Sequence, residues 1–418
     1  MKLKKSLLAC AIGNIIEWYE FIVFGYFANV IGVLFFPDSS PLLSLFKAFG
    51  VFALGIMVRP LGGIFFGHVG DKFGRKNALF LSMALMSVPT FLIGLLPTYE
   101  TIGIAASVLL IFIRFLQGLA MGGEYAGTMT YLVERANIGN KGFYGSIAAL
   151  SLVVGMALGS FASAILHTNL NQDQILKWGW RIPFLISSIG IAWALYLRFN
   201  LQESQIFIDS QKSMHQSKSP LREVFSKDLK TNLITIFAQC YLAVGMYTLT
   251  VFFSNYAQQN FKGFSPSLLN TPGILLIGLM AIISGRLSDK RGEKVVLTFV
   301  CLSAIPICFF FIPLLESKDI NSFLIAHLGL CALTGCFLGP IPSFLAGCFP
   351  VNTRYTNIAL SNNLSMGIFG GTAPMIITYL MGIFPNQTAI PIYYLMISAS
   401  VSLIGLAFIT KTKKQTIS

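Results

Sequence analysis

The sequence predicts an all-α membrane protein of twelve transmembrane helices, and three observations lead to this fold class. Of the 418 residues, 55% are hydrophobic and only 11% are charged, whereas soluble domains carry about 25% charged residues. The apolar residues fall into twelve long runs that short polar breaks separate. A helix that spans a bilayer needs about 20 predominantly apolar residues, and every run is long enough. A soluble, fibrous or disulfide-stapled chain is therefore excluded.

The twelve runs follow one another along the chain, and polar or proline-marked breaks separate them. They cover residues 7–36, 42–69, 77–97, 102–131, 143–167, 178–200, 231–259, 266–287, 295–315, 322–349, 355–384 and 388–410. We expect run 7–36 to form one helix, because no charged or turn-rich break divides it. Too few apolar residues precede Cys10 for a cleaved signal peptide, so we expect an uncleaved first span.

The basic residues are concentrated on one side of the predicted spans. With the N-terminus in the cytoplasm, 22 of the 29 Lys and Arg residues lie on the cytoplasmic side, four lie outside and three lie within spans. Positively charged loops remain on the cytoplasmic side of a membrane, so we place both termini there. This distribution also accounts for the net charge of +13, and we therefore expect no nucleic-acid partner.

A repeated decapeptide divides the chain into two parts. GHVGDKFGRK at 67–76 and GRLSDKRGEK at 285–294 align at an offset of 218, and each follows the second run of its half. We predict an N-terminal six-helix half at 1–201, a cytoplasmic linker at 202–230 and a C-terminal six-helix half at 231–418. Parallel repeats of this kind occur in many secondary transporters, whose substrate site lies between the repeats near the bilayer midplane.

The repeated loop resembles the signature loop of the major facilitator superfamily, which implies the major facilitator fold. In that superfamily the loop is a cytoplasmic clasp between the halves during alternating access. The resemblance assigns this role to Gly67, Asp71, Gly74, Arg75, Lys76, Asp289 and Arg291. Small residues permit a tight turn, Asp71 can cap the next helix, and Arg75 or Lys76 can pair with Asp71 or with a neighbouring helix end.

Six blocks of the sequence are together similar to the metabolite:proton symporter family of that superfamily. They are GNIIEWYEF (13–21), VRPLGGIFFGHVGDKFGRK (58–76), RFLQGLAMGGEYAG (114–127), WGWRIPFL (178–185), FPVNTRYT (349–356) and IFGGTAP (368–374). The family includes transporters of proline and betaine, alpha-ketoglutarate, citrate and shikimate. Glu20 stands where the family commonly has Asp, which keeps the acid and lengthens its reach. The resemblance implies a transporter of the bacterial inner membrane and not an enzyme.

Five charged residues lie well inside predicted spans of the first half. They are Glu17, Glu20, Arg59, Arg114 and Glu124. An unpaired charge near the centre of a membrane helix costs about 2.5 to 3.5 kcal/mol, so these residues require partners or a wet cavity. From their depth along the helices, we expect Glu17 and Glu20 to approach Arg114 near the midplane. We expect Arg59 to pair with Glu124 nearer the cytoplasm.

The three glutamates are candidates for proton coupling. Substrate occupancy can switch the protonation of a buried carboxylate when an arginine approaches or leaves it. Glu17, Glu20 and Glu124 therefore make up the predicted proton site. The alternative for Glu17 and Glu20 is a structural ion pair.

Four residues are candidates for substrate binding. Arg114 can hold a substrate carboxylate with its planar fork, or it can be a permanent partner of Glu17 or Glu20. Gln117 lies on the same helix face as Arg114. Trp18 and Tyr19 offer aromatic faces to a cationic amine, although most such rings serve in packing.

The leading hypothesis is proton-coupled symport of a small organic metabolite, with the proton gradient as energy source and no cofactor or metal. Mixed charge near Arg114 favours a zwitterion such as proline or betaine. One alternative is a di- or tricarboxylate symporter of the alpha-ketoglutarate or citrate type. Another is a proton-driven exporter, although GMALGS at 155–160 lacks the Gly-Pro typical of drug exporters. We expect the substrate, protons and lipid bilayer as partners, and a functional monomer.

Overall fold

The computed structural model describes residues 2–38, 41–137, 139–212, 220–261, 266–317, 319–384 and 386–409, and all regular elements in these ranges are helical. The helices up to residue 199 are α1 (Lys2–Tyr26), α2 (Ala28–Phe35), α3 (Pro41–Met57), α4 (Arg59–Phe73), α5 (Arg75–Leu95), α6 (Tyr99–Ile102), α7 (Ile104–Glu134), α8 (Lys141–Asn169), α9 (Gln172–Lys177) and α10 (Ile182–Phe199). The remaining helices are α11 (Gln205–Lys212), α12 (Pro220–Ser226), α13 (Leu229–Ala238), α14 (Cys240–Tyr247), α15 (Phe253–Asn260), α16 (Pro266–Arg291), α17 (Glu293–Glu316), α18 (Ile320–Leu338), α19 (Ile341–Cys348), α20 (Arg354–Ser365), α21 (Ala373–Ile383) and α22 (Ile390–Phe408).

The long helices match the predicted membrane spans. In the described ranges, 11 helices are long and apolar enough to cross a membrane, and α13 with α14 supplies a twelfth span bent by 43°. Each of the twelve spans falls on one predicted apolar run, so the predicted number is confirmed. Several spans consist of two consecutive helices, such as α3 with α4 and α18 with α19.

The first run differs from its prediction, because it forms two helices instead of one. α1 ends at Tyr26, and α2 begins at Ala28 without a side-chain cap. α2 packs against α3 so closely that a Cβ on Gly32 would lie 2.8 Å from the Ser44 carbonyl oxygen. The expectation of one helix over 7–36 is wrong, because the division accompanies packing on α3 and has no charged or turn-rich break in the sequence.

Contacts divide the chain into two compact units. Unit 1 comprises Met1–Thr128 and Ser151–Ser204, and unit 2 comprises Met129–Leu150 and Gln205–Ser418. The boundary after Ser204 falls inside the predicted linker 202–230. The end of α7 and the start of α8 belong to unit 2, although they precede the linker in sequence. The assignment of functional halves to 1–201 and 231–418 stays a prediction.

Glycines bring the helices of unit 1 close together, as their GxxxG spacing predicts. A Cβ on Gly118 would lie 2.4 Å from the Gly55 carbonyl oxygen, and one on Gly122 would lie 2.0 Å from that of Arg59. A Cβ on Gly155 would likewise lie 2.3 Å from the Ile15 carbonyl oxygen. These contacts seat α7 on α3 and α4, and α8 on α1, which places the buried charges of these helices within reach of one another.

Two short π-helical turns interrupt the helices of unit 2. They are Thr248–Phe252 after α14 and Met366–Gly370 after α20. The second turn packs closely against α14, because a Cβ on Gly370 would lie 2.6 Å from ring atom Cδ2 of Tyr247. Gly370 of the IFGGTAP block is thus required by packing. π-Helical turns occur frequently at functional sites.

Candidate functional site

Besides Asp71 and Arg75 of the repeated loop, unit 1 buries three acidic and three basic side chains, and none of them is more than 3% exposed. They are Glu17, Glu20, Arg59, Arg114, Glu124 and Arg198. The formal charges balance, which is favourable because an unpaired buried charge is strongly destabilising. Five of the six are the charged residues expected inside the spans. The sixth, Arg198, belongs to the 22 basic residues expected on the cytoplasmic side, but its side chain is fully buried within the unit.

Glu124 and Arg198 form a two-pronged ion pair. Arg198 donates from Nη1 to Glu124 Oε2 over 2.7 Å and from Nη2 to Oε1. Ser82 donates a third hydrogen bond to Oε2 over 2.8 Å. The expected pair between Arg59 and Glu124 is therefore wrong. Arg198 can turn into the unit because Gly13 leaves room for it: a Cβ there would lie 2.0 Å from Nη2.

Glu17 pairs with Arg59, and this second pair is loose. Arg59 Nη2 lies 3.5 Å from Glu17 Oε1, and neither carboxylate oxygen of Glu17 has a hydrogen-bond partner among the described residues. The Arg59 guanidinium also lies 5.2 Å from the centre of the Trp18 ring. The expectation that Glu17 pairs with Arg114 is wrong, because the arginine at the start of α4 is its partner.

Glu20 and Arg114 are joined by a chain of hydrogen bonds. Arg114 Nη1 donates to Gln117 Oε1 over 2.9 Å, and Gln117 Nε2 donates to Thr90 Oγ1 over 2.8 Å. Thr90 in turn donates to Glu20 Oε2 over 2.5 Å. The predicted proximity of Glu20 to Arg114 is thus confirmed as a relayed contact. Sequence reasoning missed Thr90, for which the only signal is a hydroxyl next to Pro89 within an apolar span.

Some polar atoms at the two ends of this hydrogen-bonded chain have no partner among the described residues. Arg114 Nε and Nη2 and Glu20 Oε1 have no hydrogen-bond partner in the described part of the protein. The Arg114 guanidinium lies 4.1 Å from the centre of the Phe24 ring and 5.9 Å from that of Phe52. Aromatic rings therefore hold the arginine, while its remaining N–H groups stay available to an anionic group.

The two aromatic candidates of α1 have different surroundings. The Trp18 ring lies edge-on to Tyr125, with ring centres 6.3 Å apart, and its Nε1 has no partner among the described residues. Tyr19 donates to the Pro183 carbonyl oxygen over 3.4 Å and packs against the hydrophobic core of unit 1. Trp18 thus lies beside the Glu17–Arg59 pair, and Tyr19 has a packing role.

The first copy of the repeated loop turns at Gly74, whose φ of 106° is rarely accessible to other residues. Arg75 pairs with Asp71 over 3.0 Å, as predicted, and donates to the Gly70 carbonyl oxygen. The expected helix cap by Asp71 is wrong, because α5 has no side-chain cap. Instead, Glu203 accepts a hydrogen bond from the Lys76 backbone N–H over 3.1 Å. Gly67 is buried within α4.

The second copy turns at the equivalent Gly292, with a φ of 87°, and Arg291 lies in the last turn of α16. Asp289 accepts hydrogen bonds from the backbone N–H groups of Gly142 and Phe143, over 2.6 and 2.8 Å. It therefore binds the first turn of α8, where a negative charge is favourable. This contact, within unit 2, joins segments from both halves of the sequence.

A second contact within unit 2 involves the FPVNTRYT block. Arg354 donates to Glu134, at the end of α7, over 2.9 Å. The preceding Thr353 donates to Asp228 over 2.9 Å. The block thus connects the start of α20 to the end of α7 and to the segment before α13.

The sequence is similar to known transporters over nearly its whole length. Residues 22–374 match a family described as Major Facilitator Superfamily. The proline/betaine transporter of Salmonella typhimurium is 32% identical over 96% of this chain and 82% of its own length. The glycine betaine/proline/ectoine/pipecolic acid transporter of Dickeya dadantii is 31% identical over 98% of this chain and 84% of its own length.

The fold is also similar to that of a solved structure. The proton:xylose symporter XylE, bound to 6-bromo-6-deoxy-D-glucose, matches with a TM-score of 0.81 over 99% of this chain and 97% of its own. Only 15% of the aligned residues are identical, so this likeness concerns the fold.

Proposed function

Because the chain belongs to the Major Facilitator Superfamily, we propose that it is a proton-coupled symporter that imports a small zwitterion of the proline or betaine type. It is a transporter and not an enzyme. The observation that carries the proposal is the hydrogen-bonded chain from Arg114 to Glu20, with unpartnered N–H groups at one end and an unpartnered carboxylate oxygen at the other. An anion-binding group is thus connected to a proton-binding group.

Arg114 is the proposed site for the substrate carboxylate. Its Nη1 is used by Gln117, which leaves Nε and Nη2 for a bidentate contact of the kind that guanidinium groups make with carboxylates. The names of the two relatives support the substrate class, because proline and betaine each carry one carboxylate and one ammonium centre. Trp18 and Glu17 offer an aromatic face and a negative charge to that ammonium centre.

Glu20 is the proposed proton carrier, and Glu17 is the second candidate. Glu20 Oε1 and both oxygens of Glu17 lack hydrogen-bond partners among the described residues. Both oxygens of Glu124, in contrast, accept hydrogen bonds from Arg198 and one also from Ser82. We therefore propose that Glu124 holds unit 1 together and does not exchange protons during transport.

Charge balance separates the zwitterion from the alternative substrates. The buried acids and buried arginines of unit 1 are equal in number, and a zwitterion adds no net charge to them. A di- or tricarboxylate would add two or three negative charges without a matching arginine. The direction of transport stays part of the proposal, and uptake into right-side-out vesicles tests import against export.

We also propose the location and the working unit. The protein lies in a bacterial inner membrane with both termini in the cytoplasm, as the distribution of basic residues indicates. One chain contains both predicted six-helix halves, which supports transport by a monomer.

Transport by reconstituted protein tests the proposal. Proteoliposomes loaded with proline or betaine report exchange, and an imposed pH gradient reports coupled uptake. We expect Glu20→Gln to retain exchange and to lose accumulation, because the glutamine amide cannot carry a proton. We expect Arg114→Lys to weaken binding about 10- to 100-fold, since a charge-assisted hydrogen bond contributes about 1.5 to 3 kcal/mol.

Glu124→Gln is the matched control for Glu20→Gln. Breaking a buried ion pair costs about 3 to 5 kcal/mol, so this variant should lower the unfolding temperature while the folded fraction still accumulates substrate. Accumulation at the parental level by both Glu20→Gln and Glu17→Gln would disprove the proposed proton site. Parental affinity in Arg114→Lys would disprove the carboxylate site.

A further inference from the structure

Thr90 is the central member of the chain between Arg114 and Glu20. Its side chain is fully buried in α5. It accepts a hydrogen bond from Gln117 and donates one to Glu20. The bond from Thr90 is to Glu20 Oε2, and Oε1 has no hydrogen-bond partner among the described residues.

The direction of the hydrogen bonds follows from the chemistry of the groups. A guanidinium can only donate, so Arg114 holds the carbonyl oxygen of Gln117. The amide nitrogen of Gln117 then points to Thr90, whose oxygen must accept from it. The single hydroxyl proton of Thr90 is left for Glu20, which must accept. The whole chain is therefore polarised toward an ionised Glu20.

Protonation of Glu20 weakens this polarisation. A proton that binds the unpartnered Oε1 converts Oε2 from a carboxylate oxygen to the carbonyl oxygen of a neutral acid. The bond from Thr90 then loses its charge assistance, and charge-assisted hydrogen bonds are roughly twice as strong as neutral ones. Because hydrogen bonds in a chain strengthen one another, the contact between Gln117 and Arg114 weakens as well.

From this geometry we propose that Thr90 is a positioning residue that couples the protonation of Glu20 to the binding of a carboxylate by Arg114. The inference rests on the proposed function. A neutral Glu20 weakens the hydrogen bond from Arg114 to Gln117 and thereby favours the substrate carboxylate as a partner of Arg114. Coupling between two binding equilibria is reciprocal, so bound substrate favours a protonated Glu20.

Other polar and charged groups near Glu20 do not replace the hydrogen-bonded connection that Thr90 makes between Glu20 and Arg114. Glu17 and Tyr19 lie on its own helix, Arg114 acts on it from α7, and α10 presents the hydroxyl of Ser187. Ser187 donates its proton to the Phe184 carbonyl oxygen. Thr90 thus provides the hydrogen-bonded route from the carboxylate to the arginine.

The test measures substrate affinity as a function of pH. Binding of proline and betaine to purified full-length protein is followed by calorimetry between pH 5 and pH 8. Coupling energies correspond to about 5- to 150-fold changes in affinity, and we expect such a change in the parent. Thr90→Val keeps the size and removes the hydroxyl, so we expect its affinity to vary less than about threefold over this range. Thr90→Ser restores the hydroxyl and should restore the pH dependence.

Thr128→Val is the matched control, because Thr128 is buried in the same unit and its hydroxyl has no partner among the described residues. It should keep the parental pH dependence. If Thr90→Val does not fold, Gln117→Met interrupts the same chain one bond farther on and should flatten the profile equally.

Failure of the role of Thr90 and failure of the proposed function give different results. Parental pH dependence in Thr90→Val, or in Gln117→Met when that variant replaces it, would overturn the role of Thr90. Failure of the parent to bind any zwitterion would instead overturn the proposed function on which the inference rests.

Discussion

The guanidinium of Arg114 is bordered by a residue without a side chain. A Cβ on Gly55 would lie 3.3 Å from Arg114 Nη2 and 3.8 Å from Nε, the two nitrogens that lack hydrogen-bond partners among the described residues. A glycine at this position leaves space beside the groups that we assign to the substrate carboxylate. If Arg114 binds the substrate carboxylate as proposed, we expect Gly55 to influence which substrates fit.

We predict that Gly55→Ala weakens zwitterion binding about tenfold, which corresponds to 1.4 kcal/mol, because the added methyl group takes up space beside Arg114. Gly50→Ala is the control in the same helix, since a Cβ there would have no neighbour within 4 Å. It should change affinity less than about twofold. Equal affinities of the two variants, measured by calorimetry, would show that the space beside Gly55 is not used by substrate.

At the scale of the elements, the two copies of the repeated loop share a turn but differ in their contacts. Gly74 and Gly292 both have positive φ values, and they separate α4 from α5 and α16 from α17. Asp71 pairs with Arg75 at the same turn. The equivalent Asp289 binds the start of α8. The second copy thus holds a helix from the other half of the sequence.

We predict that Asp289→Asn slows transport about tenfold and changes substrate affinity less than twofold. The substitution removes a charge-assisted contact of about 1.5 to 3 kcal/mol, which we expect conformational cycling to break and reform. Initial rates and equilibrium binding check the two quantities separately. Asp71→Asn should act in the same direction.

Asp319→Asn is the control for this change. Asp319 caps α18 by accepting from the Ser322 backbone N–H, and Asn caps helices about as well as Asp. Its rate should therefore equal that of the parent. A large loss of affinity in Asp289→Asn with a normal rate would contradict the role of the loop as a clasp.

At the scale of the whole molecule, the orientation in the membrane follows from charge. The burial of Arg198 removes one residue from the cytoplasmic group and leaves 21 against four outside. The excess of basic residues on the cytoplasmic side therefore remains after Arg198 is removed from the count. It predicts that the segment between the two predicted halves faces the cytoplasm.

We expect Lys227→Cys to resist a membrane-impermeant thiol reagent in intact cells and to react after the cells are opened. Lys177→Cys should react in intact cells. Both lysines are exposed, and the background replaces the seven native cysteines. Labelling of residue 227 but not residue 177 in intact cells would reverse the assigned orientation.

The number of spans, their order and the repeated loop were predictable from the amino-acid sequence alone. These features depend on properties of short segments: apolar length sets a span, and a glycine with positive φ sets a turn. The twelve runs and the turns at Gly74 and Gly292 could be predicted from the sequence for this reason. The division of run 7–36 was not, because it accompanies the packing of α2 on α3.

The pairing of the buried charges, in contrast, depends on the packing of the helices. The sequence predicts the depths of Glu17, Glu20, Glu124 and Arg114 along their membrane helices. Depth alone does not say which helices are neighbours. Arg198 reaches Glu124 because Gly13, distant in sequence, leaves space for its long side chain. Partner choice depends on side-chain reach and on the room left by other helices. Both are properties of the packed unit, since no local segment contains the information.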